Sequence, residues 1–128
     1  MIKGLNLPWL AVSDMGKAKH LFITIMGFTI HSENLPHHWL EIRCGEALLG
    51  IGEIAGMGMR ARYGKIEENI PGQNAVLTFG VDDIEEEMAR MKQLGVDFLE
   101  VTEMPGVFKI ATFFDFDYNK LQLYQSLQ

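Results

Sequence analysis

Residues 115–125 read Asp-Phe-Asp-Tyr-Asn-Lys-Leu-Gln-Leu-Tyr-Gln. Asp117 and Asn119 are turn formers, because their short polar side chains hydrogen-bond to nearby backbone groups. After them Leu121 and Leu123 alternate with polar residues, the period of two that is typical of a strand with one buried face. The segment therefore predicts a turn followed by a closing strand over residues 120–126.

Two helical segments earlier in the chain share their landmarks. Asp14 and Asp83 open the two segments and lie 69 residues apart. Met26-Gly27 and Leu94-Gly95 close them, 68 residues apart. A nearly constant separation at two landmarks indicates a duplicated supersecondary unit.

Both segments carry the signals of an amphipathic helix. Ser13 or Asp14 can cap the first helix, and Asp82 with Glu85 has the spacing of a capping box for the second. A glycine follows each helix and can end it in the left-handed conformation. Apolar residues recur at spacings of three and four, which predicts one buried stripe for each helix: Met15, Ala18, Phe22 and Ile25 in the first, Ile84, Met88, Met91 and Leu94 in the second.

Strand patterns surround each helix, so that each half of the chain reads β-α-β-β-β. We expect one domain over residues 1–128, with repeat one at about 1–53, a linker at about 54–73 and repeat two at about 74–128. The predicted strands are Leu5–Val12, Phe28–Asn34, His38–Cys44 and Ala47–Glu53 in repeat one, and Ala75–Val81, Asp97–Val101, Val107–Phe114 and Lys120–Ser126 in repeat two.

The linker is long for a small domain. It contains Met57, Met59, Arg60, Arg62 and Tyr63. These residues favour a lid over a binding site, an arm that reaches a second subunit, or a plain solvated connection, since flexible methionine-rich segments adapt to varied shapes.

Composition restricts the classes of function. The net charge is −6, and the 11 basic residues form no cluster, so nucleic acid is not an expected partner. No stretch approaches the roughly 20 apolar residues that span a bilayer, and the first residues lack the apolar run of a secretory signal. We therefore expect a cytoplasmic protein with no membrane partner. The single cysteine, Cys44, cannot form an internal disulfide and is more simply a small buried residue than a nucleophile.

The closing segment and the duplication together resemble the vicinal oxygen chelate superfamily, which includes glyoxalases, bleomycin-resistance proteins and extradiol dioxygenases. Residues 115–123 resemble the family's closing hairpin, commonly Asp-Pro-Asp-Gly-Asn, two residues, then Glu-Leu; Phe116 and Tyr118 replace the usual proline and glycine. Leu21-Phe22 ahead of Met26-Gly27-Phe28 resembles the family's Phe-Tyr before Leu-Gly-Phe. The resemblance implies an α+β fold in which two βαβββ repeats form curved mixed sheets around a concave cavity.

The resemblance also locates the positions where metal-dependent members carry their ligands. Here those positions hold Leu7, Gly50, Val76 and Gln122. Two aliphatic side chains, a glycine and one neutral amide do not supply the three or four N, O or S ligands that a divalent cation takes. We therefore expect no metal, no cofactor and no catalytic residue.

Alternation along the strands predicts which side chains face the cavity. Glu41 and Arg43 either orient the charge of a ligand or pair with each other. Trp9 and Trp39 either stack on a flat or cationic ligand or fill the space of the metal and its ligands. The expected ligand-binding residues are Leu7, Trp9, Trp39, Glu41, Arg43, Val76, Thr78, Gln122 and Tyr124.

Three functions remain open on the sequence. The first is metal-independent binding of a small aromatic or cationic molecule, for sequestration or sensing, as in bleomycin-resistance proteins. The second is a metal-dependent lyase or isomerase of glyoxalase type, or a dioxygenase, with ligands from Glu41, Glu53 and the pair His37-His38. The third is a non-catalytic dimeric module. The resemblance implies a homodimer in each case.

Overall fold

The computed structural model describes residues 1–56 and 75–128. The chain divides into two compact units, Met1–Arg62 and Tyr63–Gln128. The linker predicted at about 54–73, with its proposed lid or arm, lies outside the described residues from residue 57 onward. Within the described ranges no helix is long and apolar enough to cross a membrane.

The first unit contains one four-stranded mixed sheet and one helix. The strand order is β1-β4-β3-β2, with β1 parallel to β4 and the other neighbours antiparallel. A 3₁₀ turn (Leu35–His37) precedes β3. The elements are β1 (Trp9–Val12), α1 (Met15–Lys19) with a π-helical continuation (His20–Ile25), β2 (Thr29–Asn34), β3 (Trp39–Cys44) and β4 (Ala47–Glu53).

The second unit repeats this arrangement. The strand order is β5-β8-β7-β6, with β5 parallel to β8 and the other neighbours antiparallel. The predicted duplication and the α+β fold of two βαβββ repeats are confirmed by this shared order. The elements are β5 (Leu77–Gly80), α2 (Ile84–Gln93), β6 (Glu100–Met104), β7 (Phe108–Phe114) and β8 (Lys120–Ser126).

Each helix packs its apolar stripe against one face of its own sheet, α1 on β4 and α2 on β7 and β8. The prediction that Leu94 belongs to the buried stripe of the second helix is wrong, because Leu94 is the residue that caps the helix end and it stays 47% exposed. In the first helix the π-helical turn, with a hydrogen bond from Met26 N to Leu21 O, adds Leu21 to the stripe. The fully buried side chains mark the two cores: Phe22, Leu40, Ile42 and Ile51 in the first unit, and Ile84, Met91, Phe113 and Leu121 in the second.

The two helices begin in the same way. Asp14 accepts a hydrogen bond from the backbone of Lys17, and Asp83 accepts one from the backbone of Glu86, each at 3.1 Å. Asp14 was one of the two predicted caps. The predicted capping box that begins at Asp82 is wrong by one residue, because the buried stripe of α2 begins at Ile84 and the cap stands immediately before it.

A second acceptor, far along the chain, also contacts each helix start. The Met15 amide donates to Glu53 Oε2 at 2.7 Å, and the Ile84 amide donates to Gln125 Oε1 at 2.9 Å. Both acceptors lie at the ends of the strands that pair with the strand preceding the helix. The first amide of a helix has no partner within the helix, and in both units a side chain from the equivalent strand accepts its hydrogen bond.

Three predicted strand boundaries require correction. Strand β1 begins at Trp9, since Pro8 has no amide hydrogen to extend the ladder and contributes only its carbonyl, to Gly50 N at 2.9 Å. Strand β5 covers Leu77–Gly80 instead of Ala75–Val81. Strand β6 starts later than predicted and continues to the turn at Pro105-Gly106, where Val107 N bonds to Met104 O at 2.9 Å. The other strands match within one residue.

The closing turn is organised by Asp115. Its carboxylate accepts hydrogen bonds from the amides of Asp117 (2.9 Å) and Asn119 (2.8 Å) and from the Asn119 side chain (2.8 Å). Tyr118 has a φ of 65°, the left-handed conformation that the usual glycine of the motif adopts without strain. The turn geometry is therefore retained although its sequence departs from the common pattern.

Candidate functional site

Two tryptophans share the sheet face of the first unit that lies opposite the buried helix-packing residues. Trp9 in β1 pairs with Gly50 in β4, and Trp39 in β3 pairs with Gly52 in β4. Since directly paired residues point to the same side of a sheet, both indoles lie over the glycine strand. Their ring centroids are 5.5 Å apart with planes at 63°, an edge-to-face pair.

The two glycines let the indoles lie against the backbone. A Cβ atom at Gly50 would lie 2.7 Å from Trp39 Cζ2, 2.8 Å from Trp39 Cη2 and 2.8 Å from Trp9 Cβ. At Gly52 it would lie 3.0 Å from Trp9 Cζ3. Carbon atoms in contact normally stand about 3.5–4.0 Å apart. The position that the resemblance assigns to a metal ligand in β4 is thus occupied by indole carbon.

Glu41 continues this face along β3, opposite Gly50. Its Oε2 accepts a hydrogen bond from Trp39 Nε1 at 2.8 Å, which fixes the orientation of that indole. Trp39 is half-buried, whereas Trp9 keeps 51% of its surface exposed. The tryptophan face, defined by Trp9, Trp39, Glu41 and Arg43, therefore presents an exposed ring beside a ring that a carboxylate holds in place.

Arg43 stands two residues further along β3 and contacts a histidine that the strand pattern did not identify. Its Nη2 lies 3.0 Å from His31 Nδ1. The expected alternative in which Glu41 and Arg43 pair is wrong for the described part of the chain, because Glu41 bonds to Trp39 and Arg43 contacts His31. His31 reaches this face because the β2–β3 register shifts between Ile30 and Ser32, a bulge that simple alternation does not predict.

In the second unit, Gln122 is the centre of a row of polar side chains. Thr78 Oγ1 donates to Gln122 Oε1 at 3.1 Å, and Gln122 Nε2 donates to Thr112 Oγ1 at 3.3 Å. The register places all three residues on one face, in β5, β8 and β7. The amide therefore has a partner at each end, and its carbonyl oxygen is already engaged by a hydroxyl donor.

The remaining predicted site residues have simpler surroundings. Tyr124 follows Gln122 on the same face of β8 and stacks on Phe108, with centroids 6.1 Å apart and planes at 27°. Leu7 and Val76 are half-buried and lie just before β1 and β5, outside regular strand. Leu7, Trp9, Trp39, Glu41 and Arg43 belong to the first unit; Val76, Thr78, Gln122 and Tyr124 belong to the second.

The alternative ligand set of Glu41, Glu53 and the two histidines is not brought together. Glu53 Oε1 lies 3.1 Å from His38 Nδ1, but Glu53 shares a sheet face with Val12, whereas Glu41 shares the opposite face with Gly50. Over residues 1–56 and 75–128, no group of three or more His, Cys, Asp or Glu side chains could hold a metal ion.

Cys44 closes β3 and is half-buried. Burial raises the pKa of its thiol to about 11, because the surrounding protein does not solvate a thiolate. The reactive form of a cysteine is the thiolate, so this thiol is poorly suited to nucleophilic chemistry at neutral pH.

Solved structures share this architecture over almost the whole chain. The fosfomycin resistance protein FosX from Listeria monocytogenes, complexed with Mn(II) and sulfate, superposes with a TM-score of 0.74 at 20% identity, covering 98% of this chain and 92% of that one. A glyoxalase family protein from Enterococcus faecalis gives 0.74 at 23% identity, covering 95% and 97%. Lactoylglutathione lyase from Agrobacterium tumefaciens gives 0.71 at 15% identity, covering 98% and 94%.

The chain has the glyoxalase fold. No protein-family model matches the sequence, and no curated protein matches it either. At these identities the likeness extends to the fold, and the chemistry of a glyoxalase-fold protein is a property of its individual side chains.

Proposed function

We propose that this protein binds a flat aromatic or cationic organic molecule on the tryptophan face of repeat one, without a metal ion, and so sequesters or senses that molecule. The observation that carries the proposal is the indole pair on Gly50 and Gly52. An indole that is half exposed yet held in place offers its π-face for stacking on a ring or for contact with a cation, at little cost in conformational entropy.

The metal-independent part of the proposal rests on the donor set. Leu7 and Val76 have no lone pair to offer, and any side chain at position 50 would collide with the indoles. The Gln122 carbonyl oxygen is the one atom of the four positions that could ligate a metal, and it accepts a hydrogen bond from Thr78 Oγ1. These residues do not fit a divalent cation that takes three or four ligands, and we derive no step through one.

The test is a screen of planar aromatic compounds by thermal shift, followed by calorimetry on the compounds that shift the Tm. A ligand at about 100 times its Kd adds about 2.7 kcal/mol to the stability of the folded protein. With an unfolding entropy of about 0.27 kcal/mol/K for 128 residues, this raises the Tm by about 10 °C. Trp9→Ala should weaken binding at least 10-fold and leave the circular dichroism spectrum unchanged.

Phe116→Ala is the matched control, since Phe116 is an aromatic residue, 44% exposed, in the closing turn of the other repeat. It should bind the same compounds as the native protein. Unchanged binding by both Trp9→Ala and Trp39→Ala would show that the ligand lies elsewhere and would reject the proposal.

A metal-dependent lyase or isomerase of glyoxalase type is the second candidate, favoured by the fold likeness to FosX complexed with Mn(II) and to lactoylglutathione lyase. It is tested by the metal content of protein purified without chelator or affinity tag, and by melting with Mn²⁺, Ni²⁺, Zn²⁺, Fe²⁺ and EDTA. About one metal ion per chain, with EDTA lowering the Tm, would favour this candidate over metal-independent binding.

A non-catalytic dimeric module is the third candidate. The 51% exposure of Trp9 is that of a single chain, and a subunit interface would cover the same ring that a ligand would. The expected homodimer is compatible with all three functions, and sedimentation equilibrium tests it separately from ligand binding.

A further inference from the structure

Glu41 is a carboxylate on the tryptophan face whose charge no cation neutralises within the described residues. Its Oε2 accepts a hydrogen bond from the neutral Nε1 of Trp39 at 2.8 Å, which leaves the negative charge in place. In the same unit Glu33 differs, because both of its oxygens lie 2.8 Å from the Lys19 ammonium. An ionised carboxylate offers about four acceptor positions on its two oxygens. Since Glu41 is only half-buried, most of its acceptor positions are open to a donor from a ligand.

The Trp39 indole connects this carboxylate to the second ring. Trp9 and Glu41 both pair with Gly50, from opposite sides, so their Cα atoms lie two strand spacings apart, about 10 Å. Two carbons of the Trp39 ring, Cζ2 and Cη2, lie over Gly50, and Nε1 of the same ring bonds to Glu41. The centroid of the Trp9 ring is 5.5 Å from that of Trp39. A small molecule that lies on Trp39 therefore has the carboxylate at one end and the second indole beside it.

This arrangement favours a positive charge on the ligand. An ammonium group within about 6 Å of an indole centroid is attracted by the ring, and a carboxylate accepts a charge-assisted hydrogen bond from it. An anion at the same place would face the charge of Glu41. Arg43 does not offset this, because it lies about 7 Å further along β3, on the side away from Trp39, and its guanidinium contacts His31 in the next strand at 3.0 Å. The net charge of −6 adds a long-range attraction for cations.

We propose that the ligand of the tryptophan face is a small organic ammonium ion, whose N–H group donates to Glu41 and whose charge lies against the Trp39 indole. The apolar part of the ligand then covers the exposed ring of Trp9. This inference rests on the proposed function and narrows its ligand class from aromatic or cationic molecules to cations. Glu41 thereby has two roles, since one oxygen holds the indole in place and the carboxylate selects the charge of the ligand.

Three probes that share one phenethyl group separate the possible charges. Phenethylamine is a cation, phenethyl alcohol is neutral and hydrocinnamate is an anion. Titrations of the full chain, followed by tryptophan fluorescence, should show that phenethylamine binds at least about 10-fold more tightly than the other two. Equal affinity for phenethylamine and phenethyl alcohol, or tighter binding of hydrocinnamate, would overturn the inference and leave the proposed function intact. Absence of binding by all three would also overturn the inference, and the thermal-shift screen of planar compounds tests the proposed function separately.

Glu41→Gln assigns the preference to its residue. Glutamine keeps an oxygen that accepts from Trp39 Nε1, so the variant removes the charge and retains the acceptor that orients the indole. The preference for phenethylamine over phenethyl alcohol should fall at least about 3-fold, and part of it should remain because the ammonium still contacts the indole. Glu46→Gln removes the same charge from an exposed turn of the same unit and should keep the full preference. An unchanged preference in Glu41→Gln, or an equal loss in Glu46→Gln, would contradict the proposed cation site.

Discussion

Replacement of Gly50 by alanine should destabilise the protein, because the new methyl group has no space. It would lie 2.7–2.8 Å from two ring atoms of Trp39 and from Trp9 Cβ, almost 1 Å inside normal contact. Overpacking of this kind costs about 1–3 kcal/mol. With an unfolding entropy of about 0.27 kcal/mol/K for 128 residues, the Tm should fall by about 4–11 °C.

The control is Gly80→Ala, also in a strand, where an added Cβ would meet no atom within 4 Å among the described residues. Alanine also reduces the freedom of the unfolded chain, by about 0.4–1 kcal/mol, and the control carries that effect without the clash. The difference in stability between the two variants therefore isolates the overpacking. Urea denaturation measures it, followed by fluorescence, because both tryptophans of the chain belong to the pair.

Combining Gly50→Ala with the removal of one indole at a time should give different results for the two tryptophans. Trp39→Ala removes two of the three close atoms and should relieve most of the Gly50→Ala penalty. Trp9→Ala keeps its Cβ, the third close atom, and should relieve little. If the stabilities of Gly50→Ala and Gly80→Ala agree to within about 0.5 kcal/mol, which is less than the smallest cost expected from overpacking, the close contact between the indoles and the glycine backbone is refuted.

Three further predictions concern the second helix, the closing turn and the thiol. Gln125→Ala should lower the free energy of unfolding by about 1 kcal/mol, since the Ile84 amide loses its acceptor, whereas Gln125→Glu keeps an acceptor and should not. Burial raises the pKa of Asp115 from 3.8 to about 6, although hydrogen bonds from Asn119 and the Asp117 amide oppose the shift. Because this carboxyl has a higher pKa in the folded than in the unfolded state, the free energy of unfolding should fall by up to about 3 kcal/mol as the pH rises from about 4 to 6. Asp115→Asn should remove most of this pH dependence in urea titrations. Cys44 should react with a disulfide reagent at pH 7.5 at least about 100-fold more slowly in the folded protein than in urea, and equal rates would contradict the raised thiol pKa.

The fold was predictable because its two determinants are local and repeated. Strand patterns and turn residues placed a strand at or next to each of the eight observed ones, although the prediction for β6 shares only Glu100 and Val101 with it, and the constant separation of the helix landmarks identified the duplication. The boundaries were less predictable. The predicted β1 continued through Pro8, although the missing amide hydrogen of proline argues against a strand there. The predicted β6 ended before the turn at Pro105-Gly106, which determines where the hairpin closes.

The composition of the tryptophan face was predictable, but the partners of its side chains were not. Alternation placed Trp39, Glu41 and Arg43 on one side of β3, as the register has them. Glu41 binds Trp39 within β3 itself, whereas the partner of Arg43 comes from the neighbouring strand. The bulge that delivers His31 to Arg43 has no signature in a single sequence, because it is set by cross-strand register.

Position 50 connects the fold to the proposed function. A side chain there and the indole pair compete for the same volume, since even a methyl group would contact Trp9 and Trp39 below 3 Å. A protein that uses this position for a metal ligand therefore cannot also keep both rings where they lie here. A histidine placed at position 50 would require removal of Trp39, and with it the partner that Glu41 binds. A metal-ligating side chain at position 50 and the indole pair as it lies here are therefore mutually exclusive, because both need the volume above Gly50.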